Sequence, residues 1–157
     1  MTLMNAESLK DSWSAIFRRK GGNGATTRLF DSLDPIKKSE ILTLVKLDRA
    51  ELPVIGQLLD AQNWFLLTTK RLVWTIESEH HELDNSAIVD ATIDLDVASL
   101  GRNKMAVRQL SIEVLDGGTQ FLELEPGLPL SGVWNVLKNI GTRNRKSSQR
   151  SKRSPDR

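Results

Sequence analysis

The feature of this chain that most constrains its fold is a change of hydrophobic period near residue 128. Between Glu51 and Glu125, short apolar stretches alternate with polar turns, and "DGG" at 116–118 is a strong hairpin signal. From Leu128 the apolar residues recur every three or four positions instead. The pattern therefore predicts several consecutive antiparallel strands followed by one amphipathic helix that closes the domain.

Period-two alternation marks the strands individually. They are predicted in "ELPVIGQLL", "WFLLTT", "RLVWTIE", "SAIVDATIDLD", "QLSIEVL" and "TQFLELE", with "ESEHHELDN" as a polar turn or hairpin end. In the closing helix one stripe holds Leu130, Val133, Trp134, Leu137 and Ile140. Gly141 occupies the place of a C′ glycine, so the helix is predicted to end there.

Two helices are predicted before the strands. The first spans Asn5 to Lys20, and its apolar stripe consists of Leu9, Trp13, Ile16 and Phe17. "GGNGATTR" then predicts a flexible loop. The second helix begins at Asp34-Pro35, a favourable N-cap followed by proline at the first helical position. Its inward-facing residues are predicted to be Ile36, Leu42 and Val45.

The charge of the chain is concentrated at its C-terminal end. Residues 142–157 contain seven of the 22 basic residues and one of the 20 acidic residues, so they carry a net charge of +6 while residues 1–141 carry −4. The basic residues up to position 153 are Arg143, Arg145, Lys146, Arg150, Lys152 and Arg153. With almost no apolar residue to bury, this tail is predicted to be disordered. The predicted organisation is a helical extension (1–49), a folded domain (50–141) and the basic tail (142–157).

The sequence also limits the classes of function. It contains no Cys, which excludes disulfides and thiolate metal sites but does not fix the compartment. Its N-terminus has no apolar segment typical of a signal peptide, so a cytoplasmic location is expected. No P-loop, G-x-S-x-G or H-E-x-x-H motif is present. We therefore expect a protein that is not an enzyme and that needs no cofactor.

The stretch around Lys70 carries a family resemblance. Glu51 before a short strand, then "LLTTKRL" at 66–72 followed by an aromatic residue, resembles the "E…LT-x-x-RL" pattern of bacterial pleckstrin-homology-like (PH-like) and GRAM-type domains. Trp134 is similar to the tryptophan that plugs the barrel in PH domains. The resemblance covers about 50–141. It implies an α+β fold, in which a bent antiparallel sheet or open barrel is capped by the C-terminal helix, and a binding scaffold rather than a catalyst.

One part of the sequence departs from that family. Some eukaryotic PH domains bind phosphoinositides through Lys and Arg in the loop between the first two strands. The corresponding segment here, "LLDAQNW", contains Asp60 and no basic residue. Inositol phosphate binding is therefore not expected.

Candidate binding residues lie in the same stretch: Trp64, Lys70, Arg71 and Trp74. Arg71 is expected to be mainly structural, bonding turn carbonyls or an acid such as Glu77. At most one of the two tryptophans is expected to be an exposed anchor.

Two further groups of polar residues contain side chains that could ligate a metal ion. His80 and His81 are adjacent, so on a strand they would point to opposite faces, and a metal site is not expected there. The even spacing of Asp90, Asp94 and Asp96 predicts that they form the acidic outer face of a sheet.

These observations favour a binding module that acts in protein–protein interaction or self-association, through a sheet face or an edge strand. Peripheral attachment to an anionic membrane through the basic tail is the alternative. Nucleic acid is not an expected partner, because the tail has no interleaved aromatic residue for base stacking.

Overall fold

A computed structural model describes residues 5–93 and 108–153. Helix α1 (Ala6–Lys20) begins at Asn5, whose side-chain oxygen accepts a hydrogen bond from the Ser8 amide at 2.8 Å. Helix α2 (Pro35–Leu44) begins at Asp34, which accepts from the Lys37 amide at 2.9 Å. Both predicted helix starts are confirmed, because an N-cap side chain satisfies amides that no helical carbonyl can reach.

The strands form two antiparallel sheets. The first contains, in this spatial order, β1 (Arg28–Leu29), β2 (Pro53–Asp60), β3 (Asn63–Thr68), β4 (Arg71–Ile76) and β5 (Glu79–Asp84). The second contains β6 (Ile88–Ile93), β7 (Gln109–Val114) and β8 (Thr119–Glu123). Helix α3 (Leu128–Arg153) follows. The α+β prediction and the C-terminal helix are confirmed, but in the described part of the chain the sheets do not close into a barrel.

Strand β5 was not recognised as a strand in the sequence. The polar segment "ESEHHELDN" contains a two-residue turn, Glu77-Ser78, with φ angles of 49° and 70°, and β5 begins directly after it. Such angles suit a tight hairpin, which is more often marked by Asn-Gly. The predicted turn is therefore shorter than expected, and both histidines lie on the strand.

Strands β2, β3 and β4 of the first sheet are buried on both faces. One face packs in the main core against the second sheet, α1 and α3, where Trp13 and Phe17 are buried. The other face packs against α2, with Trp64 next to Ile41 and Val45 in a second cluster. The N-terminal segment is thus part of the same packed body as the strands.

The inward face of α2 differs from the predicted one. Ile41 and Val45 are buried, but Ile36 is 71% exposed and Leu42 is 44% exposed. Ile41 and Val45 are four positions apart and so lie on the same side of the helix. Packing against β3 and β4 decides that this side faces inward. The prediction is confirmed for Val45 and wrong for Ile36 and Leu42.

Helix α3 does not end at Gly141. It continues to Arg153, so the segment predicted as a disordered tail from residue 142 is helical as far as the structure describes it. Gly141 is required for a different reason: a Cβ atom there would lie 2.3 Å from the carbonyl oxygen of Val89. The absence of a side chain lets the helix cross β6 at backbone contact distance.

Candidate functional site

Arg71 forms an internal ion-pair network at the start of β4. Its Nε donates to Glu51 Oε2 at 2.9 Å and its Nη2 to Glu51 Oε1 at 3.2 Å. Its Nη1 reaches Glu82 at 2.7 Å, and Nη2 also donates to the Lys46 carbonyl at 2.8 Å. The partners are therefore Glu51 and Glu82 rather than Glu77, and the guanidinium is held by the fold itself.

The carboxylate of Glu51 is buried at the centre of this network. Thr68 Oγ1 donates to it, and Thr68 Oγ1 in turn accepts from the amides of Lys70 and Arg71. Burial works to raise the pKa of Glu51, but the hydrogen bonds from Arg71, Thr68 and the Asp48 amide hold that pKa below its ordinary value. The residues of the "E…LT-x-x-RL" pattern thus fix the β3–β4 turn to the segment before β2, while Lys70 is exposed at that turn.

The two tryptophans of the β3–β4 hairpin lie on opposite faces of the first sheet. Trp74 is 1% exposed in the main core and Trp64 is 5% exposed in the second cluster. Neither is an exposed anchor. Trp134 is partly buried at the margin of the main core, where its Nε1 donates to the Ala91 carbonyl at 2.8 Å.

The adjacent histidines alternate across β5 as a strand requires. His81 stacks on Trp74, with ring centroids 5.1 Å apart, and His80 lies 6.3 Å from the Trp64 ring. Across residues 5–93 and 108–153 there is no group of three or more His, Asp and Glu side chains that could hold a metal ion. Asp90 is half-buried and accepts from the Ala91 amide, whereas Asp94 and Asp96 lie outside the described residues.

A small cleft lies between the two sheets. Its volume is about 100 Å³, and its walls include Trp64, Trp74, Leu59, Arg108 and Leu122. For comparison, an engineered cavity of about 150 Å³ binds one benzene molecule. The cleft therefore suits an aliphatic side chain or a few water molecules rather than a cofactor.

The β6 edge of the second sheet is closed by side chains of α3. Trp134 donates to the Ala91 carbonyl, Asn144 donates to the Ile88 carbonyl at 2.8 Å, and Arg145 donates to the Val89 carbonyl. These carbonyls would otherwise be available to another strand. A helix packed across the edge is one way in which proteins prevent unwanted strand pairing.

The β5 edge of the first sheet is exposed but heavily charged. Glu79, Glu82 and Asp84 are exposed on a six-residue strand, and Glu82 also pairs with Arg71. Charged side chains on an edge strand disfavour the approach of another strand. The other edge of that sheet, β1, contains only two residues.

Strand β8 is the open edge that remains among the described strands. It pairs with β7 on one side, and its sequence TQFLE contains a single charge. Leu122 is buried in the main core, while Phe121 points to the opposite face and is 49% exposed. Its neighbours on that face, Thr119 and Glu123, are also exposed. This sheet edge and face, which we call the β8 surface (Thr119–Glu123), form the candidate site.

Phe121 is not among the candidate residues predicted from the sequence, although the alternation around it indicates an exposed position. In "TQFLELE" the buried Leu122 and Leu124 share one parity, so an aromatic residue at 121 falls on the polar face. A large apolar side chain on the outer face of an alternating strand can contribute to an interaction surface where it belongs to a larger apolar patch. The sequence alone does not show whether another element covers that face.

Comparisons of the chain with protein-family profiles, with curated proteins and with solved structures give no match. None of the helices in the described part of the chain is long and apolar enough to span a bilayer.

Proposed function

We propose that this protein is a non-enzymatic binding module that pairs with a protein strand along the β8 surface, the partner being another protein or a second copy of the chain. The observation that carries the proposal is the edge of β8 beside the half-exposed Phe121: among residues 5–93 and 108–153, no second strand pairs with it. An exposed strand edge offers backbone donors and acceptors, and a neighbouring aromatic side chain adds apolar contact area.

The contrast between the sheet edges supports this choice. The β6 edge has its carbonyls bonded by α3, and the β5 edge is protected by acidic side chains. Within the described part of the chain, the β8 edge has neither form of protection. Leu115, in the turn that precedes β8, is a second exposed apolar residue of this sheet, at 72%.

The cleft supports the same mode of binding. Leu122 and Glu123 of β8 are among its lining residues, so the cleft opens beside the strand that would receive the partner. Side chains of an added strand alternate between two faces. One small aliphatic side chain of the partner can therefore enter the cleft while its neighbours face Phe121.

The architecture is consistent with the PH-like fold that the sequence resembles. Strands β2–β5 and β6–β8 provide four and three antiparallel strands in succession, and α3 follows them. The PH-like assignment remains a proposal that rests on this order and on the Glu51, Thr68 and Arg71 network.

The test replaces Phe121 with Lys, a residue that protects natural edge strands. Sedimentation velocity over a wide concentration range and crosslinking in the source lysate are compared for wild type and Phe121→Lys. We expect loss of the self-associated or crosslinked species in the variant. Ile36→Lys is the control, because Ile36 is also apolar and is more exposed than Phe121 (71% against 49%) but lies on α2.

Two results would contradict the proposal. In one, wild-type protein remains strictly monomeric and crosslinks to no other protein. In the other, Phe121→Lys and Ile36→Lys reduce association equally, which would place the interaction elsewhere or make it non-specific.

A further inference from the structure

The C-terminal part of α3 contacts the second sheet through residues 144 and 145. Asn144 donates to the carbonyls of Asn85 and Ile88, both at 2.8 Å, and Arg145 donates to the Val89 carbonyl. The next residues, Lys146, Ser147 and Ser148, are exposed. The helix runs on to Arg153, and at 1.5 Å per residue positions 146–153 make a rod of about 12 Å.

This segment, which we call the basic helix end (146–153), has an unusual composition. It contains four basic residues, Lys146, Arg150, Lys152 and Arg153, together with three serines and one glutamine. It contains no acidic and no apolar residue. Positions 146, 150 and 153 recur at i, i+4 and i+7, so they share one side of the helix.

We propose that the basic helix end binds the phosphate backbone of double-stranded B-form DNA. Arg and Lys, together with Ser and Gln hydroxyl and amide groups, are the side chains that proteins place on phosphate oxygens. The major groove of B-form DNA is wide enough to admit an α-helix. Charge complementarity and helical shape therefore identify the same partner.

The lack of interleaved aromatic residues, which argued against nucleic acid in the sequence, does not exclude a helix that binds a duplex. Aromatic residues are needed to stack unpaired bases of single strands, whereas contacts to the backbone of a duplex need none. The A-form duplex of RNA has a deep, narrow major groove that does not accept a helix in this way. The geometry therefore favours DNA over RNA.

A membrane surface fits the same segment less well. Helices that lie in the bilayer interface bury an apolar face, and residues 142–153 include no apolar side chain to form one. Residues 1–141 carry a net charge of −4, so phosphates repel the body of the protein. DNA binding is accordingly confined to the helix end, independent of base sequence and sensitive to salt.

The experiment measures fluorescence anisotropy of a labelled DNA duplex of mixed sequence with the full-length chain, between about 50 and 200 mM salt. Four neutralised phosphates give a slope of log affinity against log salt of roughly −3.6. The variant K146Q/R150Q/K152Q/R153Q is expected to lose at least about tenfold in affinity and most of the slope.

Two controls separate charge from folding. The charge-conserving variant K146R/R150K/K152R/R153K is expected to keep both affinity and slope. R18Q/R19Q/K20Q removes exposed charges from the last turn of α1, near Leu128 at the other end of α3, and is also expected to bind as wild type. Thermal unfolding of each variant identifies a temperature at which all are folded, and binding is measured there.

The proposal is overturned by any of three results. In the first, the wild-type chain shows no salt-dependent binding to the DNA duplex. In the second, the glutamine variant binds as tightly as wild type. In the third, vesicles containing phosphatidylserine or an RNA duplex of the same length retain the chain as tightly as DNA does, so that the partner is another polyanion.

Discussion

Arg71 binds Glu51 through two nitrogens, Nε at 2.9 Å and Nη2 at 3.2 Å, across twenty positions of sequence. The Glu51 side chain is completely buried, whereas the Arg71 side chain is 20% exposed. A buried carboxylate held by a two-point contact is stable only while its partner is present. The pair therefore joins the segment before β2 to the β3–β4 turn.

Replacing Arg71 with Met tests this dependence. We expect the free energy of unfolding to fall by roughly 3 kcal/mol, since the Glu51 carboxylate would be left buried without a cation. Urea unfolding monitored by tryptophan fluorescence measures the change. The control is Glu82→Gln, which removes the exposed partner of Arg71 and should cost less than about 1 kcal/mol. Equal losses in the two variants would show that the buried pair has no special role.

Glu125 orders the glycine-rich loop between α1 and β1. Its carboxylate accepts from the amides of Ala25, Thr26 and Thr27 at 2.7, 2.8 and 2.9 Å. The loop predicted as flexible from "GGNGATTR" is thereby fixed to the end of β8. Burial works to raise the pKa of Glu125, but these three amides and the Thr26 hydroxyl hold the pKa below its ordinary value.

A lowered pKa in the folded protein has a definite sign for stability. The contribution of Glu125 is fully present above the ordinary carboxyl pKa of 4.5 and is lost as pH falls through the folded pKa. Glu125→Gln should therefore cost roughly 2 kcal/mol at neutral pH, and less as the solution is acidified below about pH 4.5. The measurement is the unfolding free energy of wild type and variant as a function of pH.

The matched control for this prediction is Glu123→Gln, an exposed glutamate two positions earlier. It should change the unfolding free energy by less than about 0.5 kcal/mol at neutral pH. A difference between wild type and Glu125→Gln that stays constant with pH would contradict the assigned role of the carboxylate.

Gly141 provides a test of the helix crossing. In an unpacked helix interior, replacing Gly with Ala stabilises by about 1 kcal/mol. Here the new Cβ would lie 2.3 Å from the Val89 carbonyl oxygen, so Gly141→Ala should instead destabilise by about 1 to 3 kcal/mol. Thermal or urea unfolding decides the sign. Ser147→Ala, on the exposed part of the same helix, should be neutral or stabilising by less than about 0.5 kcal/mol.

If Gly141→Ala raised the stability, Gly141 would not be a point of close contact. The prediction of a helix end at that residue would then regain support. Amide hydrogen exchange at residues 142–148 would show whether the helix continues through the position.

Part of the candidate site was accessible from sequence. The strand containing Phe121 was predicted, and its alternation with Leu122 places Phe121 on the outer face. Which sheet edges stay unpaired among the described residues was not accessible, because it depends on where α3 packs. Asn144 and Arg145 close the β6 edge from more than fifty positions away in the chain.

The sequence by itself determined the local elements: the helix starts at Asn5 and Asp34, six of the eight strands among the described residues, and the final helix. These follow from capping bonds within three residues and from periodicities of two and 3.6, which neighbouring residues decide. Only the tertiary structure decided that Ile41 rather than Ile36 faces inward, that Glu125 fixes a distant loop and that the helix passes Gly141. Those outcomes depend on contacts between residues far apart in sequence, and local patterns do not encode which surfaces meet.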